Sequence, residues 1–258
     1  MKDFALSLFL ILFSNQLISQ NALSAIKDTS GYRELRGKIA NQTFFIDRDS
    51  TNFDAIVKRS NFEMQLGDYV NCVKDNNRLL QLNPNSGSAY CNRALAYCFL
   101  KEYKKAISDA NKQVELEPEV AMSYYNRAYI KGEAGEYKSA IVDLDKAIAI
   151  RPDYYKAFAN KGHMYSKLKN YEEAIKNYDK AISLSTNYLA PLLNRVIARY
   201  ELKDYKGTIS DYNKYMEVAT FVTPETNELY LMMQKAYEKV GDKENAELFK
   251  QKAEAYSK

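Results

Sequence analysis

The sequence predicts an all-α fold built from repeated helical hairpins, and three observations carry that prediction. A pattern recurs at a fixed period of 34 through the middle of the 258-residue chain. Glycine and proline are sparse, at 9 and 5, as expected of helices joined by short turns. Within each period, apolar and small residues fall at i, i+4 and i+7, one face of a helix. An apolar content of 46% is enough to bury a sizeable core. The 37 basic and 33 acidic residues alternate, as in KKAISDANK and YEEAIKNYDK, so they read as solvated helix faces and argue against nucleic-acid binding.

The first element is a leader. Lys2 precedes an apolar run from Phe4 to Phe13 and then the polar stretch SNQLISQN, the pattern of a secretory signal peptide over residues 1–19. The run is shorter than the ~20 residues that span a bilayer. Cleavage is expected near Ser19 or Gln20, with Asp3 and Leu17 as departures from the usual pattern. No Cys precedes Cys72, which excludes a lipid-modified cysteine at the mature N-terminus. The mature protein is therefore expected in the periplasm or outside the cell, without a membrane span, and the leader has a bacterial look. Residues 20–52 do not fit the period; they mix turn residues, charge and short apolar pairs, and read equally as a flexible arm or as an extra packed segment.

Five repeats are expected over residues 53–222. The first, Phe53 to Ser86, is degenerate and is marked by LGDYVNCV and LNP. Four regular copies follow, beginning SAYCNRALAYCFL at Ser88, MSYYNRAYIKGEA at Met122, KAFANKGHMYSKL at Lys156 and APLLNRVIARYEL at Ala190. Independent markers keep the register: Pro84, Pro118 and Pro152 form one series, and Tyr69, Tyr103, Tyr137, Tyr171 and Tyr205 another. One hairpin cannot bury the apolar stripes of both its helices, whereas stacked copies can. After Val222 the register shifts by four residues, and residues 223–258, with VGDKENAELFKQKAEAY, read as a capping hairpin with a polar outer helix.

This pattern resembles the tetratricopeptide repeat (TPR) family. The aromatic opening is Tyr90, Tyr124 and Phe158, weakened to Leu192, and the small residue four later is Ala94, Ala128 and Gly162, weakened to Val196. In the second helix Ala106, Ala140 and Ala174 give way to Thr208, and Thr186 and Thr220 replace the turn proline. The resemblance implies a right-handed superhelical solenoid of about six stacked antiparallel hairpins, whose concave groove binds an extended peptide or a partner helix without catalysis. A self-associating structural subunit of an envelope complex is the alternative, ahead of an enzyme or metal carrier with a scattered site.

Chemistry has little to stand on. The single histidine, His163, has no second ligand at metal spacing and reads as a lone exposed residue. Cys91 and Cys98 lie seven apart on one helix, roughly 10 Å along its axis, too far for a disulfide. Cys72 could reach one of them, but it occupies the small-residue slot of Ala106 and Ala140, which favours a buried thiol. Hydrolase, phosphate-loop and zinc-protease motifs are missing, so no cofactor or metal is expected.

The candidate peptide-binding residues are Asn92, Asn126, Asn160 and Asn194, each two residues after a core position. Two steps of 100° turn each about 200° from its core neighbour, towards the groove that the resemblance implies. Each amide offers a donor and an acceptor for the backbone of an extended peptide; the competing reading is that they bond within their own helix layer. Tyr125, Tyr129 and Leu193 are expected beside them as apolar pockets, and Lys156 as a framing charge. The family's carboxylate-gripping variant is not expected: at the matching places Val57, Asn61, Asn92, Met122 and Asn126, the three asparagines supply the amides, but the basic residues are missing. Arg93, Arg127, Lys161 and Arg195, with Asp109, Asp143 and Asp211, suggest a ladder of exposed pairs between neighbouring hairpins, each contributing ~0–1 kcal/mol.

Overall fold

The computed structural model describes residues 30–186, 188–218 and 227–256. The expected leader over 1–19 lies outside the described residues, as do Thr220 and the register shift after Val222. The described residues form helices only: α1 Ser30–Arg48, α2 Phe53–Leu66, α3 Tyr69–Leu82, α4 Gly87–Phe99, α5 Tyr103–Leu116, α6 Ala121–Glu133 and α7 Tyr137–Ile150. They continue with α8 Tyr155–Lys167, α9 Tyr171–Leu184, α10 Ala190–Glu201, α11 Tyr205–Val218, α12 Asn227–Val240 and α13 Lys243–Tyr256. None is long and apolar enough to cross a membrane.

The tyrosine series marks helix starts: Tyr69, Tyr103, Tyr137, Tyr171 and Tyr205 each open the second helix of a hairpin. Each first helix ends in a left-handed residue, where an L side chain is strained. Gly67, Gly135 and Gly241 occupy that place at φ 78°, 84° and 84°, and Lys101, Lys169 and Lys203 at 61°, 61° and 63°. The following residue closes the turn by bonding back to the helix, as Glu102 N–H does to Tyr97 O at 2.8 Å. Side-chain caps start other helices, with Asp68 accepting from Asn71 N–H and Asn170 from Glu173 N–H.

The helices divide into two compact units, α1–α7 and α8–α13. In the first, α1 packs on α2, the hairpins α2–α3, α4–α5 and α6–α7 follow one another, and the first helices touch as α2 with α4 and α4 with α6. In the second, the hairpins are α8–α9, α10–α11 and α12–α13, with α8 against α10. Core positions follow the small-residue pattern. Ala94, Cys98, Ala106, Ala110 and Ile130 form one buried cluster, and Ala174, Tyr178 and Ala198 another. Gly162 leaves room for the fully buried Tyr178, whose ring a Cβ at Gly162 would approach to 2.7 Å; one period earlier the same two positions are the buried Ala128 and Leu144. The three cysteines are free thiols, so no disulfide forms. Burial pushes Cys72 and Cys91 up to about 11 and Cys98 to about 12.

The charged ladder differs from the sequence expectation. Arg93 Nε and Nη2 grip Asp109 at 2.7 and 2.7 Å inside one hairpin, while its Nη1 donates to Asn77 of the preceding hairpin at 2.7 Å. Arg127 repeats this with Asp143 at 2.9 and 2.5 Å and Asn111 at 3.1 Å. Arg195 does so with Asp211 at 2.7 and 2.5 Å and Asp179 at 2.5 Å. Each arginine thus joins the carboxylate sixteen residues ahead to the side chain sixteen behind. The pairs are neither exposed nor purely between hairpins, because the second helices close over the guanidinium from both sides; the acids are buried. Breaking such a pair therefore reaches towards the ~3–5 kcal/mol of buried ion pairs. Hairpin α8–α9 departs, with Asn177 in the acid's place donating to Glu173 O at 2.8 Å. Arg59 extends the series one period earlier, to Asp75 at 2.7 and 2.6 Å and to Thr43 of α1 at 3.2 Å. Helix α1 therefore stands where the second helix of a preceding hairpin would stand.

Candidate peptide-binding face

Where first helices lie side by side, the residue two steps after the core position faces the seam between them. In the unit of α1–α7 this seam consumes the amides. Asn92 Nδ2 donates to Asn61 Oδ1 of α2 at 2.9 Å, and Asn126, which is buried, donates to Cys91 Sγ of α4 at 3.1 Å. Asn126 is thus not open to a ligand, because α4 and α6 approach closely enough for its amide to bond within the helix layer. Around it Tyr125 and Tyr129 are half-buried, and Met122 is exposed. Tyr129 is held well above the usual phenol range, first by burial and then by Glu133 and Cys98. Tyr69 and Phe99 stack at 4.6 Å in the same unit.

In the unit of α8–α13 the amides are available. Asn160 of α8 and Asn194 of α10 are half-buried and make no hydrogen bond with another described residue. Lys156 is exposed one turn before Asn160. Leu193, expected as a pocket wall, is instead buried with Leu192, Val196, Tyr212 and Tyr230, because the residue one step past the core position packs into the helical layer. His163 is not the exposed residue that its isolation in the sequence suggests: it stands in the register of Tyr129 and Ile197, where the layer encloses it. It is half-buried, and its Nδ1 is sealed from solvent without a hydrogen-bond partner. Burial and the positive Lys167 one turn on push its imidazole down to about 4. The sequence held the signal for this, since the residue five after Tyr90, Tyr124, Phe158 and Leu192 is Leu95, Tyr129, His163 and Ile197.

Among the described residues no three His, Cys, Asp or Glu side chains are grouped to hold a metal ion. Hairpins packed in register, with polar amides on their first helices, define a helical-repeat scaffold of the protein-interaction kind. A sequence profile described as tetratricopeptide repeat matches residues 87–120, 121–154 and 155–188. The chain belongs to the tetratricopeptide repeat family. By sequence, no curated protein matches it. By structure it is similar to PilW, a widely conserved type IV pilus biogenesis factor, with TM-score 0.69, 18% identity, and 79% of this chain and 92% of that one covered. PilF of Pseudomonas aeruginosa gives TM-score 0.67 and 18% identity over 79% and 90% of the two chains. A tetratricopeptide repeat protein from Parabacteroides merdae gives 0.65 and 18% over 93% of each. At these identities the likeness is one of fold.

Proposed function

We propose that this scaffold holds an extended peptide along the first helices of the α8–α13 unit, using the side-chain amides of Asn160 and Asn194. The observation that carries the reading is that these two amides repeat in register on packed neighbouring helices and are unengaged. Packed helices lie ~8–10 Å apart, roughly three residues of extended chain at ~3.3 Å each. A peptide crossing both helices therefore meets one amide about every third residue, and each offers a donor and an acceptor to its backbone whatever its side chains. Lys156 beside them favours a peptide with an acidic residue at that end. The secretory leader read from residues 1–19 and the fold likeness to a pilus biogenesis factor support a place in the cell envelope.

The test starts with a peptide selected from a displayed library against the full chain. Replacing Asn160 and Asn194 together with Ala is expected to weaken that peptide at least tenfold, about 1.4 kcal/mol from hydrogen bonds of ~0.5–1.5 kcal/mol each, with helicity unchanged. Asn126→Ala, whose amide is already engaged, is expected to lower stability and leave affinity alone. Unchanged affinity in the folded double variant would sink the reading.

A further inference from the structure

One register position separates the first hairpin from its successors. It is Glu63 in α2, then Tyr97, Lys131, Tyr165 and Arg199 at intervals of 34. In α6–α7, Lys131 Nζ reaches Asp143 Oδ2 at 2.8 Å, and in α10–α11, Arg199 Nη1 reaches Asp211 Oδ2 at 3.2 Å. In both, this position gives the ladder acid a second cation. The first hairpin puts an acid there.

Asp75 already takes the paired donors of Arg59, and Glu63 Oε1 lies 3.9 Å from Arg59 Nε. Glu63 is only 5% exposed, and its Oε2 has no hydrogen-bond partner. A protonated Glu63 can donate to the Asp75 carboxylate; an ionised one faces it as a like charge. The other charged groups that bear on the pair add little relief. Asp68, which caps α3, also repels Glu63, Asp47 of α1 draws on Arg59, and the Cys72 thiol is pushed up to about 11. One guanidinium cannot compensate two buried carboxylates and also hold Thr43.

We propose that the first hairpin is a proton-dependent latch, closed while one proton is held between Glu63 and Asp75 and opening at its α1–α2 end when that proton passes to water. Helix α1 is the part set free, because it has no buried residue and the Arg59–Thr43 hydrogen bond ties it to the ladder. Burial first, and the Asp75 charge second, push Glu63 up to about 8 from 4.5. Closing therefore takes up a proton throughout that interval. The closed form is favoured fully below about 4.5 and loses its advantage as pH rises through about 8.

Amide hydrogen exchange on the full chain, corrected for intrinsic chemistry, reads the latch directly. In the wild type, protection of α1 and α2 amides is expected to fall by about tenfold per pH unit between roughly pH 6 and 8, the slope of one proton. Amides of α6 and α7, where Lys131 fills the position, serve as the internal reference and should show no such slope. Glu63→Gln is expected to remove the slope, and Glu63→Lys, which installs the Lys131 arrangement, to remove it and raise protection. A flat wild-type profile, a slope that survives either substitution, or the same slope in α6 and α7 would overturn the latch. Should Glu63→Gln fail to fold, the wild-type profile and Glu63→Lys still decide.

Discussion

Arg93 and Arg127 hold the same position one period apart, yet their replacement by alanine should have unequal consequences. Their environments match closely, with side chains 19% and 18% exposed over buried aspartates. Arg93→Ala strips Asp109 of both donors at 2.7 Å and leaves a buried carboxylate without its cation. Breaking a buried pair from one side destabilises by ~3–5 kcal/mol, and the partial exposure of the arginine places this case near ~3. Arg127→Ala leaves Lys131 Nζ at 2.8 Å from Asp143, so about half of that, ~1.5 kcal/mol, is expected. At ~2–4 °C per kcal/mol for chains of this size, Arg93→Ala should lower Tm by about 6–12 °C and Arg127→Ala by about 3–6 °C. Thermal circular dichroism and urea titration of both variants, with the exposed Lys206→Ala as a control, give the comparison. Equal losses would show that Lys131 does not back up Arg127, and losses no larger than the control would remove the ladder from the account of stability.

Two further outcomes follow from the other unit. Gly162→Ala should cost ~1–3 kcal/mol, since the new Cβ meets Tyr178 at 2.7 Å, and Tyr178→Leu, the residue found at Leu144, should recover part of it; a neutral Gly162→Ala in thermal melts would contradict this packing. His163 is the only histidine, so its proton resonance needs no assignment, and it should titrate near 4 and not near 6.5. Because the folded state keeps it neutral while the unfolded chain protonates it, its contribution to stability is complete above about 6.5 and declines as pH falls towards 4. An ordinary midpoint would mean that the ring is open to water.

The period and the tyrosine series make the hairpins legible in the sequence, because stacking repeats one geometry and the small residues must recur with it. What escaped depends on neighbours that sequence spacing does not display. Arg59 and Asp75 stand one period before Arg93 and Asp109, but the degenerate opening of that hairpin hid the correspondence. Lys101, Lys169 and Lys203 fill the place of Gly67 and Gly135, so the left-handed turn leaves no glycine signature in half the repeats. Helical geometry turns the Asn row away from each hairpin's own core but does not say what meets it: Asn61 and Cys91 engage two of its members, and only contacts between helices reveal that. Leu193 and His163 were misplaced for one reason, that the seam between first helices encloses more than the hairpin's own core.

The arginine that reaches sixteen residues each way also acts as a joining rule. A hairpin brings its own acid but borrows a side chain from whichever helix precedes it, and Thr43, Asn77, Asn111 and Asp179 all satisfy that request. The borrowed group need only accept a hydrogen bond, so the rule is permissive about what comes before and strict about phase. Duplication or loss of a whole 34-residue cassette leaves every arginine with two neighbours of the right kind, whereas an insertion of even one residue inside a second helix strands them. Length variation in such an array is thereby channelled into whole hairpins, and the first of them, which borrows from α1, is the one whose join is made with a hydroxyl.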